Sequence, residues 1–240
     1  MNSVAYLYEN GHTPWQRVCA VMSERLPGLA PAMEQCVSAE QNQAPNTKGH
    51  TPETAMEIAQ EAALVEAVLG GDGDGFRVLV DRYSQRIYSH IYGMVRNREE
   101  AEDLTQEAFL RAYRFLHRYD GKRAFRNWFY TIATNVTLNA LRSGKRREAA
   151  GDALRSDPVV EKVADETARS RVKQTEQQNR IGAAMAQLSP KAAMLLQLHY
   201  QEGLTMREAA VVMDMSESAV KVQIHRARKR MRELLVDKES

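Results

Sequence analysis

From Phe76 onward the apolar residues Leu79, Val80, Tyr83, Ile87, Ile91 and Met94 recur at intervals of three and four. Only an α-helix brings such positions onto one face, and a helix with one apolar face has to pack against a partner. The same period returns in Leu104, Ala108, Ala112 and Phe115, and again in Val220, Ile224, Ala227, Met231 and Leu234. No segment reads convincingly as a strand. The chain is therefore expected to be all-α. A glycine-rich run, Gly70–Gly75, ends a helical pattern that begins near Pro52, and Asp74 is placed to cap the helix that follows. That run has no acidic ligand at the closing position of a calcium loop, so it reads as a turn.

Further along, a helix is expected from about Glu99, a turn at the Asp-Gly within Tyr119–Arg123, and a helix from about Ala124 to Ser143. Residues 148–179 are polar and read as a linker. Helical patterning resumes near Arg180. Ser189-Pro190 supplies an N-cap with proline in the first turn, Gly203 closes a helix, and Thr205 opens another with Glu208 placed for a capping box. Four segments follow: an N-terminal extension over 1–55, a helical domain over 56–147, the linker over 148–179 and a helical domain over 180–240.

Composition narrows the functional classes. No apolar run reaches the roughly 18 residues of a membrane span, and the N-terminus lacks the basic and apolar regions of a secretory signal. A cytoplasmic location is expected. Cys19 and Cys36 are expected to be ordinary thiols there, since with His12 and His50 they match no zinc-site spacing. The net charge is only +2, yet it is unevenly placed. Residues 1–60 hold Arg17, Arg25 and Lys48 against Glu9, Glu24, Glu34, Glu40, Glu53 and Glu57. Residues 219–232 hold Lys221, Arg226, Arg228, Lys229, Arg230 and Arg232 with no acidic residue. Such a block points to an anionic partner.

Three constellations carry candidate binding chemistry. First, Leu204–Arg230 reads as a short helix, a tight turn at Asp214-Met215 and a longer helix capped by Ser216, the pattern of a helix-turn-helix. Ser218, Lys221, Gln223, Arg226 and Lys229 lie off its apolar stripe, suited to base edges near the helix start and phosphates beyond. Second, Tyr119, Phe125, Trp128, Phe129 and Tyr130 are interleaved with Lys122, Arg123 and Arg126. Rings stack on unpaired bases while cations hold phosphates, which is what a single strand requires. Phe129 and Ile132 are expected to be buried, and Trp128 and Tyr119 to be the base partners. Asn135 is suited to a base edge, and Arg142, Lys145, Arg146 and Arg147 to a duplex backbone. Third, Asp103, Gln106 and Glu107 share a helix face with Arg111 one turn later.

The segments DLTQEAFLRAY, FRNWFYTIATN, LSPKAAMLLQLHYQEGLTMREAA and SESAVKVQIHRARKR, in this order, resemble the extracytoplasmic-function (ECF) group of bacterial sigma factors in the sigma-70 superfamily. The resemblance covers roughly residues 57–147 and 178–236. It implies that Asp103, Gln106 and Glu107 dock on the clamp helices of the largest subunit of core RNA polymerase. The second domain would meet the polymerase flap region. Tyr119 through Phe125 would read the non-template strand of the promoter −10 element, with Asn135 on the following helix. Reading a base from a single strand requires taking it out of the stack, at a cost of about a few kcal/mol. Ser218, Lys221, Gln223 and Arg226 would read the −35 element. An anti-sigma factor would hold the chain inactive, and no cofactor, metal or covalent chemistry is implied. The Gln223-Ile224 pair departs from the Ser or Arg followed by a bulky apolar residue found in many relatives, so their −35 sequence does not transfer. Typical members begin near residue 56 of this numbering, which makes Met56 a candidate start.

Two rival readings predict different behaviour. A stand-alone helix-turn-helix regulator binds its operator tightly without polymerase. A nuclease needs clustered carboxylates for a metal, whereas the acidic cluster at residues 99–107 already has helix-start and docking roles. The histidines (His12, His50, His90, His117, His199 and His225) are too scattered for a catalytic constellation.

Overall fold

A computed structural model describes residues 55–149 and 180–236. The expectations for Trp15, Cys19, Cys36 and most of the linker lie outside the described residues. The helices are α1 (Ala55–Leu69), α2 (Gly73–Val95), α3 (Arg98–Arg114), a 3-10 turn (Leu116–Arg118), α4 (Phe125–Ala149), α5 (residues 180–186), α6 (Pro190–Tyr200), α7 (Met206–Val212) and α8 (Glu217–Val236). No strand occurs among the described residues. The described residues form two compact units. One contains those up to Tyr92 together with Arg98–Val136, the other Gly93–Asn97 together with those from Thr137 onward.

In the first unit the stripe of α2 is buried through Phe76, Leu79, Val80, Tyr83, Ile87 and Ile91; Met94, in the part of α2 that belongs to the other unit, is half-buried. Tyr83 meets Phe125 and Phe129 of α4, Phe129 meets Phe109 of α3, and His90 meets Tyr130, all almost fully enclosed. The rings meet edge-on or tilted, as in the 4.7 Å approach of Phe109 to Phe129, the geometry that aromatic quadrupoles favour. Gly75 lets α1 and α2 approach closely, since a Cβ there would sit 2.8 Å from the Leu64 carbonyl oxygen.

Three details differ from expectation. The cap of α2 is Asp72, whose Oδ1 accepts the backbone N–H of Asp74 at 3.0 Å. Asp74 lies inside the first turn and faces Arg77 at 3.6 Å. The helix starts at Gly73, so the earlier of the two aspartates occupies the capping position. Phe115 is 40% exposed, because α3 ends at Arg114 and the ring turns outward beneath the Arg118 guanidinium, 4.8 Å away. Ile132 is half-buried where full burial was expected.

The second unit contains the compact cluster α6, α7 and α8 around Met194, Leu195, Leu198, Leu204, Ala209, Val212, Val220 and Ile224. Its loops are held by the residues the sequence singles out. Ser189 Oγ accepts the Ala192 N–H at 3.3 Å, with Pro190 in the first turn. Beyond α6 the chain turns through Gly203 at φ 70°, and the Leu204 N–H reaches back to the Leu198 carbonyl at 3.0 Å. His199 Nδ1 lies 2.7 Å from the Leu204 carbonyl. A carbonyl only accepts, so that nitrogen carries the proton. Thr205 and Glu208 close a reciprocal capping box at the start of α7. Replacing Thr205 with alanine removes the hydroxyl half of it and leaves the Thr205 N–H bonded to Glu208. The expected loss is about 1 kcal/mol, read as a lower denaturation midpoint with unchanged slope.

Candidate nucleic-acid interface

Helix α8 is partitioned by its packing. Val220, Ile224 and Ala227 are buried against the unit, while Ser218, Lys221, Arg226 and Lys229 are exposed. The turn that presents it is tightly built. Asp214 takes φ 50°, a left-handed conformation that aspartate tolerates better than most residues. Ser216 Oγ accepts the Ala219 N–H at 3.2 Å and lies 3.1 Å from Ser218 Oγ. Ser216 thus acts first as a cap, and Ser218 is the freer hydroxyl at the helix start. Gln223 is half-buried, because it lies nearer the packed side of the helix than Ser218 does. In its place the middle of the exposed face holds Val222, 49% exposed, and His225. Both are one-turn neighbours of Ser218 and Lys229 on the same face. The sequence carried this signal in the spacing 218, 222, 225, 229, obscured by the usual expectation that a valine in a helix faces the core.

Lys221 Nζ sits 2.6 Å from Glu217 Oε1. The Lys221 hydrogen bond and charge, aided weakly by Arg207, hold the Glu217 carboxyl below its ordinary range. With its folded value depressed, the pair contributes above the ordinary carboxylate range and fades as pH falls through the lowered value. Both side chains are solvated, so the effect on stability is small. The expected outcome is an NMR titration in which Glu217 protonates at lower pH than exposed glutamates, moving toward them in Lys221→Met.

In the first unit the segment before α4 forms a closed loop. Tyr119 Oη donates to the Arg123 carbonyl at 2.6 Å, and Asp120 Oδ1 accepts the Lys122 N–H at 3.1 Å. Lys122, Arg123 and Asn135 are exposed, and Trp128 is half-buried. Tyr119 and Phe125, expected among the base-contacting side chains, are only 9% and 1% exposed. Their rings lie 5.4 Å apart, and each packs against Trp128 as well. They build the loop's underside. Arg126, grouped by sequence with the surface cations, is 1% exposed and sits in the core. Farther along α4, Arg142 is exposed and its Nη1 approaches Asn139 Oδ1 at 3.4 Å. The side chains of Lys145, Arg146 and Arg147 lie outside the described residues.

On α3, Asp103 is exposed, while Gln106, Glu107 and Arg111 are half-buried on the same face. Arg111 Nε donates to Glu107 Oε1 at 2.6 Å, which fixes the carboxylate in place. Glu102, one residue before Asp103, is fully enclosed and ion-paired with Arg98 at 3.0 Å. The acidic cluster is therefore divided between core and surface.

Among the described residues there is no group of three or more His, Cys, Asp or Glu side chains placed to hold a metal. No described helix is long and apolar enough to cross a membrane.

Comparison with known proteins matches this arrangement to one family. Sigma-70 region 2 matches residues 79–147 and Sigma-70, region 4 matches residues 178–231. The chain is 35% identical to the ECF RNA polymerase sigma factor SigW of Bacillus subtilis, covering 72% of this chain and 95% of that one. The fold resembles that of CnrH in its complex with the cytosolic domain of CnrY, with TM-score 0.57 and 22% identity over 75% of this chain and 99% of that one. It also resembles RpoE in complex with the anti-sigma factor NepR from Bartonella quintana, with TM-score 0.51 and 19% identity over 67% and 96% of the two chains. This chain belongs to the ECF sigma factors of RNA polymerase, which are transcription initiation factors.

Proposed function

We propose that the residues described above divide promoter recognition between the two units. In the second, α8 enters the major groove of the −35 element. Ser218, Lys221 and Val222 meet base edges, the valine suiting a thymine methyl. Arg226 and Lys229 hold phosphates. Gln223 stands at the margin of this face, and Ser216 supports it as the cap. In the first unit, Lys122, Arg123, Trp128 and Asn135 meet the unpaired −10 strand over a base built from Tyr119 and Phe125. Arg142, Lys145, Arg146 and Arg147 follow the adjoining backbone. Asp103, Gln106, Glu107 and Arg111 dock on the clamp helices of core polymerase, in the cytoplasm. An anti-sigma factor is the expected regulator, as the complex of RpoE with NepR illustrates for that relative. The chain acts by binding and positioning, with the bond-making left to the polymerase.

The observation that carries this reading is the division of α8 into a buried Val220–Ile224–Ala227 stripe and an exposed basic face behind a capped turn. The docking assignment is tested by titrating the Asp103→Lys/Glu107→Lys chain against core polymerase. Wild-type affinity for core in a folded double variant would refute it. Tight sequence-specific duplex binding without any polymerase would favour the stand-alone regulator.

A further inference from the structure

We infer that α1 is a positioning element for the strand-reading loop, acting directly through Ala62 and, by way of Tyr83 on α2, through Glu61. The inference rests on the reading of residues 119–125 as the −10 segment. Helix α1 precedes residue 79, where the match to Sigma-70 region 2 begins.

Glu61 is a carboxylate enclosed to 1% exposure, a costly place for an acidic group without partners. Its Oε1 accepts the Tyr83 hydroxyl at 2.5 Å and an Arg82 Nη1 hydrogen at 3.0 Å. The ring of Tyr83 continues the path, lying 5.6 Å from Phe125 and 6.0 Å from Phe129. Phe125 in turn packs on Tyr119, whose hydroxyl holds the Arg123 carbonyl. A contiguous set of contacts thus runs from α1 to both ends of the loop. The direct contact lies under the loop's tip. Gly121 adopts φ 67°, and a Cβ built there would meet Ala62 Cβ at 3.4 Å. Helix α1 also packs against the 3-10 turn that leads into the loop.

The physical consequence is preorganisation. Lys122 and Arg123 project from a loop whose ends are tied by a hydrogen bond and whose tip rests on a helix, so little order has to be imposed when a strand binds. The side chain at position 62 sets the height of that tip. Ala62 lies against the loop's tip and Glu61 is enclosed and reaches the loop only by way of Tyr83, so both act through the loop and neither is a DNA contact.

The test uses the full chain assembled with core RNA polymerase and a fluorescent single strand carrying the selected −10 sequence, compared with a scrambled strand. Ala62→Leu should lower affinity for the matched strand about fivefold, the low end of what one stacked base contributes. It should also flatten the preference over the scrambled strand, a change that lost stability alone does not produce. Glu61→Gln keeps an acceptor for Tyr83 and should show a smaller loss. Thermal melting is recorded for each variant, and Ala62→Val decides the matter if Ala62→Leu does not fold. Wild-type affinity and preference in the folded position-62 variant, alongside losses in Lys122→Ala and Trp128→Ala, would overturn the role of α1 alone. No loss in any of these variants would overturn the −10 reading beneath it.

Discussion

Replacing Arg226 and Lys229 together with alanine should weaken binding of the second unit's reading helix to −35 duplex DNA at every sequence alike. The cause is counterion release. Each cation seated on a phosphate displaces condensed ions, so removing two such contacts should reduce the slope of log affinity against log salt by about 2. Both side chains are exposed on α8 beyond its first turns, where phosphate contacts are expected. Substitution at Ser218 or Val222 should behave in the opposite way. It should leave the salt slope unchanged and relax preference at one base pair, at about 1–3 kcal/mol per lost base contact. Fluorescence anisotropy over a salt series, with the selected −35 duplex and single-base variants, separates the two outcomes. A slope unchanged by the double alanine variant would remove Arg226 and Lys229 from the phosphate contacts.

Arg126→Ala should be the most damaging single change to stability in the first unit. Arg126 is the largest of the fully enclosed side chains, at 1% exposure, and it is not without partners. Truncation leaves a cavity where the side chain stood. Truncating a large enclosed side chain to alanine costs about 2–5 kcal/mol through the cavity it leaves. Urea denaturation should therefore show a large fall in midpoint. Exposed Arg123→Ala should stay close to wild type, within about 0.5 kcal/mol, as surface substitutions usually do. Equal, small effects at both positions would mean that Arg126 is dispensable to the core.

This contrast shows what the sequence revealed and what it hid. The apolar stripes of α2 and α8, the Ser189, Thr205 and Ser216 caps and the turn at Asp214 were all legible, because period and capping chemistry are local properties. The order of four motifs identified the family. Burial around Tyr119–Tyr130 was not legible from composition alone. Rings alternating with cations describe a single-strand surface and a charged core equally well. The distinguishing signal was positional. Arg126 heads a run with Tyr130 and Ala133 at spacing four and then three, and all three are buried. Helix α4 is thus enclosed on two adjoining stripes, the other headed by Phe125 and Phe129. Tyr119 was obscured for another reason: its hydroxyl finds a backbone carbonyl four residues on, and no periodicity announces a loop closing on itself. Glu61 was unreadable in the same way, since its partners Arg82 and Tyr83 lie on the next helix.

The measurement that bears most directly on the central claim is in vitro transcription from a promoter library with purified core RNA polymerase, with and without residues 1–55. Initiation is expected only when chain and core are both present, from sequences sharing one −35/−10 pair, and it should be lost in the Asp103→Lys/Glu107→Lys variant. No core-dependent initiation from either form, together with tight duplex binding by the chain alone, would contradict the account.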